Sequence, residues 1–168
     1  MSEYWWDRSG RDSDLERLEA RYSEEKSPEL MLRMADVKKG DVLYDLGSGD
    51  GRIVVTAAQR YGVRGTGIDI DPDRVDEAND NARMAGVAKL VRFRNQDLFD
   101  ADLRDATVVT LYLLPELNRK LMPKLLAELR PGARIVSHQF AMGDWKPDRE
   151  ETVAGRKIYL WTVPPRQP

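Results

Sequence analysis

Cysteine is absent from this 168-residue chain and histidine occurs once. Without thiols there is no disulfide framework and no thiolate metal site, and one imidazole cannot build a histidine-rich metal centre. An excess of charge of either sign is missing too. Against 27 Lys and Arg stand 29 Asp and Glu, a net charge of −2, so nothing announces the basic face that nucleic acid would require, and nucleic acid is not expected as a partner. No apolar run approaches the roughly 20 residues of a membrane span. The N-terminus is polar and acidic after Trp5-Trp6, which does not read as a secretory signal. Internal repeats are lacking. What remains is the composition of a small cytoplasmic enzyme, 41% hydrophobic and 33% charged, long enough for one core of its own.

What the chain does contain is a distinctive turn. Asp45-Leu46-Gly47-Ser48-Gly49-Asp50-Gly51 follows the apolar run Asp41-Val42-Leu43-Tyr44 and opens an apolar-periodic helix from Arg52 to Tyr61. Strand, glycine-rich turn and helix in that order form the ligand-gripping corner of a doubly wound α/β fold. A dinucleotide site spaces its glycines Gly-x-Gly-x-x-Gly and seats a pyrophosphate over the helix N-terminus. Here the spacing is Gly-x-Gly-x-Gly, and Asp45 and Asp50 bracket the turn, where they would repel a pyrophosphate. They suit a ligand carrying an ammonium and a sulfonium, as S-adenosyl-L-methionine does.

Two further strand ends agree. Val63 to Ile68 reads as a second strand delivering Asp69 and Ile70, an acid about twenty positions past the glycines, where such folds bond ribose hydroxyls. Val91 to Asn95 runs into Gln96-Asp97-Leu98-Phe99, placing Asp97 to accept from an adenine amino group while Leu98 packs on the base. Asp45, Gly47, Ser48, Gly49, Asp50, Gly51, Asp69, Ile70, Asp97 and Leu98 are therefore the candidate cofactor-binding residues.

Periodicity and punctuation give the rest of the map. Residues 1–12 read as a tail, and Ser13 to Glu25 as a helix opened by a capping box, with Leu15, Leu18 and Tyr22 on one face. This 1–26 segment is a candidate lid, or an element docked on the sheet's flank or paired with another subunit; 27–168 is the main domain. Helices are expected over 27–36, 52–61 and 72–85, the third capped by Asp71 with Pro72 at its first position. Strands are expected over 41–46, 64–69, 90–95, 106–112 and 133–138. Pro115 should start a helix that Pro123 breaks or restarts. Glu151 to Ala154 and Arg156 to Val163 read as a closing hairpin. The fold class is α/β: a Rossmann-like, doubly wound, mostly parallel sheet with an antiparallel C-terminal hairpin and helices on both faces.

Tyr44-Asp45-Leu46-Gly47-Ser48-Gly49-Asp50-Gly51-Arg52, Gly67-Ile68-Asp69-Ile70-Asp71-Pro72, Gln96-Asp97-Leu98-Phe99 and Val109-Thr110-Leu111-Tyr112-Leu113-Leu114-Pro115 carry a family resemblance. So do Arg134-Ile135-Val136-Ser137-His138 and Gly143-Asp144-Trp145-Lys146-Pro147. From about Met31 to Val163 the chain resembles a class I, seven-β-strand S-adenosylmethionine-dependent methyltransferase. More narrowly it is similar to a compact bacterial and archaeal group related to the protein-lysine methyltransferases of mitochondrial carriers and ATP synthase. The resemblance implies S-adenosyl-L-methionine as cofactor and an amine acceptor such as a protein lysine. The alternatives are a small-molecule N- or O-methyltransferase and a cofactor-binding pseudoenzyme or assembly module. DNA and glutamine methylases of this fold carry Asn-Pro-Pro-Tyr after strand four; here Leu113-Leu114-Pro115 lacks the amide. Tyr112 is accordingly the acceptor-positioning candidate, with His138 and Trp145 near the same edge. The relatives' Tyr-x-Pro-Thr segment is replaced by Tyr22-Ser23-Glu24-Glu25 to Pro28, without the Pro-Thr pair.

Overall fold

In a computed structural model of the chain, residues 27–153 and 155–166 are described. The expected tail, the Ser13–Glu25 helix with its candidate lid role, and Tyr22 all lie outside these residues.

Seven strands form one sheet: β1 (Val42–Leu46), β2 (Arg64–Asp69), β3 (Val91–Asn95), β4 (Val108–Leu111), β5 (Arg134–His138), β6 (Arg149–Val153) and β7 (Arg156–Thr162). Their order is β3-β2-β1-β4-β5-β7-β6. The first five strands pair in parallel, and β7 joins β5 and β6 antiparallel. The expected fold class is thus realised, with each strand boundary within two residues of its expectation. Between β1 and β4 the strand order reverses direction, and ligands of open α/β sheets sit outside the strand C-termini at such a point.

Helical turns over 27–34 (α1), α2 (Arg52–Tyr61), α3 (Pro72–Met84) and α4 (Pro115–Glu128) flank the sheet. Consecutive strand residues point to opposite faces, and the core divides accordingly. Leu43, Val108 and Val136 pack with Met31 and Leu32 of α1, Ile53 and Val54 of α2 and Ala82 of α3. Leu46, Val109, Leu111 and Ile135 pack with Leu121 and Leu125 of α4 and with Trp161. All four residues of β4 are buried, as a central strand covered on both faces requires.

One expectation is corrected. Pro123 neither breaks nor restarts its helix: α4 runs through it unbroken. Pro123 faces solvent, as does Arg119 one turn earlier, so the lost N–H lies on the exposed face of the helix. On the opposite face Leu121 and Leu125 are fully buried, and their packing offsets the lost hydrogen bond. No helix among the described residues is long and apolar enough to cross a membrane.

Candidate active site

The glycine turn leaves β1 at the C-terminal edge of the sheet and is drawn onto β2. The N–H groups of Gly47 and Ser48 both donate to the carbonyl of Ile68, at 2.8 and 3.0 Å. Gly47 has φ 79°, and a Cβ there would lie 2.6 Å from Leu113 Cδ2. Gly51 caps α2 at φ 82° without any side-chain cap; a Cβ on it would lie 2.7 Å from Phe93 Cζ and 2.9 Å from Ala78 Cβ. Glycine is thus required at both ends of the turn by conformation, and at Gly51 by space as well. The Ser48 hydroxyl is buried and has no hydrogen-bond partner among the described residues.

Three acids gather around this turn in different states, and a fourth, Asp97, lies beyond β3. Asp45, on β1, is 1% exposed and accepts from the Thr110 hydroxyl at 2.9 Å. Burial pushes its carboxyl up to about 7, against the Thr110 bond and with help from the neighbouring charges of Asp69 and Asp50. Asp50 is held low chiefly by the Arg52 side chain, which reaches both of its oxygens, at 3.1 and 2.8 Å. Asp69 ends β2 and is fixed by backbone: Gly49 N–H donates to Oδ2 at 2.8 Å and Asp71 N–H to Oδ1 at 3.0 Å. Its own carbonyl accepts from Gln96 N–H, so β3's exit lies against it. Asp97, the next residue, is exposed and caps the short 3-10 turn Leu98–Asp100 through Phe99 N–H at 2.9 Å. Beside Asp69, the apolar side chain of Ile70 is 73% exposed, whereas Leu98 is half-buried against the core.

Across the strand-order reversal the surface changes character. Tyr112 falls just beyond β4 and is 48% exposed; Leu114 is 66% exposed. The Tyr112 ring stacks on that of His138, the last residue of β5, with centroids 4.1 Å apart and planes 11° from parallel. His138 is itself buried. Burial, aided by the charge of Arg156, pushes its imidazole down to about 4, so the ring is neutral at physiological pH. Trp145 turns inward instead: its ring meets Trp161 at 6.0 Å, and its carbonyl accepts from Trp161 Nε1 at 2.8 Å. It packs, partly buried, beside β7.

All the residues expected from sequence therefore stand along one edge, the cofactor candidates at β1–β3 and Tyr112 at β4. Sequence reasoning missed three polar residues that shape that edge. Thr110 is an inward hydroxyl on β4, in register with Asp45. Asn95 donates to the carbonyls of Asp69 and Ile70, at 3.1 and 2.8 Å. Asn118 is fully buried in α4. Only Asn118 carried a signal: it stands three and seven residues before Leu121 and Leu125, at an inward position of an amphipathic helix.

Comparison with known proteins places these features in a group. The family described as the ANTKMT methyltransferase domain matches residues 45–149. A protein-lysine N-methyltransferase of Saccharolobus islandicus is 39% identical over 144 residues, covering 83% of this chain and 89% of the archaeal protein. The adenine nucleotide translocase lysine N-methyltransferase of Mus musculus is 42% identical over 106 residues, covering 62% of this chain. The matched part is 46% of the mouse protein, so this chain spans about half its length. Among solved structures, an RNA methyltransferase from Salinibacter ruber in complex with S-adenosyl-L-homocysteine superposes with a TM-score of 0.82. It is 57% identical, over 84% of this chain and 93% of its own.

Proposed function

Because the chain belongs to the ANTKMT methyltransferase domain family of S-adenosylmethionine-dependent methyltransferases, we propose that its methyl acceptor is the side-chain amine of a lysine in a protein. The observation that carries this reading is the pairing of a neutral aromatic wall with an acidic floor. Tyr112 lies flat on His138, whose ring stays uncharged above about pH 4, and the nearby acids are Asp45, Asp50 and Asp69.

The residues present suit the cofactor. Each Asp69 oxygen accepts one N–H and keeps a lone pair for a ribose hydroxyl. Ile70 offers an exposed apolar shelf for the adenine, Leu98 backs its other side, and Asp97 takes the amino group. Asp45, Asp50 and the Gly47–Gly51 turn face the methionine portion, with the unused Ser48 hydroxyl at hand. When bound, the cofactor supplies a methyl carbon activated by its sulfonium leaving group.

Little chemistry is then asked of side chains beyond placement, because orientation supplies much of the barrier reduction. A lysine reaches the mouth as an ammonium and must shed a proton to expose its lone pair. Tyr112 and Leu114 displace water there, and desolvation favours the neutral amine. The Tyr112 ring also attracts the cationic substrate and product through its face. His138 adds no positive charge to oppose either.

RNA is the second reading, favoured by the named activity of the Salinibacter ruber protein. Against it stand the net charge of −2 and the Asp69 carboxyl, which meets backbone N–H groups and would repel a phosphate. The two are separated by incubating the purified chain with methyl-labelled cofactor and three acceptor pools: protein extract, total RNA and small metabolites. Label in protein, recovered as methyl-lysine, is the expected result. Label confined to RNA or to the small-molecule pool overturns it.

A further inference from the structure

Asn118 occupies a position that the helix pattern reserves for an apolar side chain, next to the fully buried Leu121 and Leu125. A buried amide destabilises unless its polar atoms are bonded, and this one is only half bonded. Nδ2 donates to Ser137 Oγ and Phe140 O, both at 3.1 Å, and more distantly to Ala141 O at 3.4 Å. Oδ1 has no hydrogen-bond partner among the described residues. Stability alone would favour leucine here.

What the amide does hold is geometry. Ser137 Oγ, also fully buried, donates to Phe140 O at 2.6 Å, so Ser137, Phe140 and Asn118 form one knot. Between Ser137 and Phe140 lie His138, the ring beneath Tyr112, and Gln139. Gln139 is held at φ 75°, a left-handed conformation unfavourable for a residue with a Cβ, and such strain persists only where its surroundings impose it. On one side its N–H donates to Lys157 O of β7 at 2.6 Å; on the other, Asn118 of α4 grips the two carbonyls that follow. The chain thus leaves β5 clamped between a strand and a helix.

We propose that Asn118 is a positioning residue for methyl transfer: by tying the exit of β5 to the first turns of α4, it holds His138 flat against Tyr112 and so fixes the wall of the acceptor channel. This rests on the reading that the acceptor enters beside Tyr112. Neither Asn118 nor Ser137 touches the cofactor or the acceptor in this scheme.

The test is Asn118→Leu in the full chain. Phe140 O keeps its Ser137 hydroxyl, so the variant should fold with a melting temperature within a few degrees of the wild type. Methyl transfer should fall at least tenfold with KM for the acceptor raised, while the cofactor Kd changes less than twofold. Because the chain has one histidine, its imidazole NMR signals belong to His138 alone. Their titration midpoint should move from about 4 toward the ordinary 6.5 as the ring loosens, with Tyr112 and Arg156 still beside it. A wild-type midpoint in Asn118→Leu overturns the proposal, whatever the activity. If the wild type methylates nothing, the acceptor reading fails, and the midpoint still decides what Asn118 holds. Should Asn118→Leu not fold, Asn118→Ser carries the same expectations. Gln139→Gly should raise the melting temperature and leave the midpoint unmoved; a shifted midpoint there assigns the clamp to Gln139 and overturns the role given to Asn118.

Discussion

Asp41 and Asp45 stand near opposite ends of β1, and both are largely buried, at 8% and 1% exposure. Each accepts a hydroxyl from a threonine on the β4 segment, Thr107 at 2.8 Å and Thr110 at 2.9 Å. There the likeness ends. Burial works to raise the carboxyl of Asp41, but the Lys38 N–H, the Thr107 hydroxyl and the Arg134 guanidinium outweigh it, and the group titrates below the ordinary carboxylate range. Arg134 also donates to the carbonyls of Ala35 and Asp36, so this cluster fastens α1 to the sheet. Asp45 receives one hydroxyl and has two more acids for neighbours. The N-terminal edge of the sheet therefore satisfies its buried acid within the protein. Among the described residues, the C-terminal edge gives its acid a hydroxyl and two like charges but no counter-charge.

Stability should register the first of these clusters most strongly. Asp41→Ala leaves Arg134, whose side chain is 18% exposed, without its carboxylate, and removing one partner of a buried pair costs about 3–5 kcal/mol. Urea denaturation should show that loss, with the cofactor Kd of the folded fraction changed less than twofold. A loss below about 1 kcal/mol would mean that the two edges do not differ as described.

The two acids should also respond oppositely to pH. For Asp41, lowered when folded, the stabilisation is present above the ordinary 3.8 and disappears as pH falls through the folded value. For Asp45, raised from 3.8 to about 7, the folded chain binds the extra proton between those values, so stability declines as pH climbs from about 4 to about 7. The decline amounts to roughly 4 kcal/mol at most. Asp45→Asn should remove it, giving a flatter profile and a protein at least as stable as the wild type at pH 8. Parallel profiles for the two proteins across this window would refute the unmet-charge account of Asp45.

That same substitution should damage binding where it spares folding. Losing a charged acceptor costs about 1.5–3 kcal/mol, or roughly 10–100-fold in the Kd for S-adenosyl-L-methionine. Calorimetry at pH 8, where Asp45 is ionised, gives the cleanest reading. Saturable NAD binding by the wild type, with none for S-adenosyl-L-methionine, would overturn the cofactor assignment for the whole edge.

The halves of the sheet were not equally readable from the chain. The conformation of the Gly47–Gly51 turn and the place of Asp69 at the end of β2 were legible because they rest on local chemistry, a positive φ or an acid at a strand's end, which residue type and spacing record. The Asp71 cap and the β2 boundaries came through for the same reason. Pro123 misled, because whether a proline breaks a helix depends on which face it occupies and on what the next turn buries. The Thr110–Asp45 bond depends on the register of β4 against β1, across 65 positions, and local pattern carries no such information. The His138–Tyr112 stack likewise follows from two strands lying adjacent. Charge in the turn shows both sides. Its acids were visible, but not that Asp50 is already engaged by Arg52, nor that Asp45 is half neutral near pH 7.

Thr110 offers the finest adjustment of the contrast between the edges. Thr110→Val keeps the volume but removes the one hydroxyl that favours ionised Asp45, leaving burial and the charges of Asp69 and Asp50 to raise its carboxyl above about 7. A hydroxyl donated to a carboxylate is worth about 1.5 kcal/mol or more, so affinity for the cationic cofactor should fall roughly tenfold at pH 7. Because the deficit is one of ionisation, it should close as pH rises toward 9, where Asp45 loses its proton without the hydroxyl's help. Isothermal titration across pH 6 to 9 reads this directly. A deficit constant with pH would mean that Thr110 shapes the site by packing and that Asp45 holds the same charge with or without it.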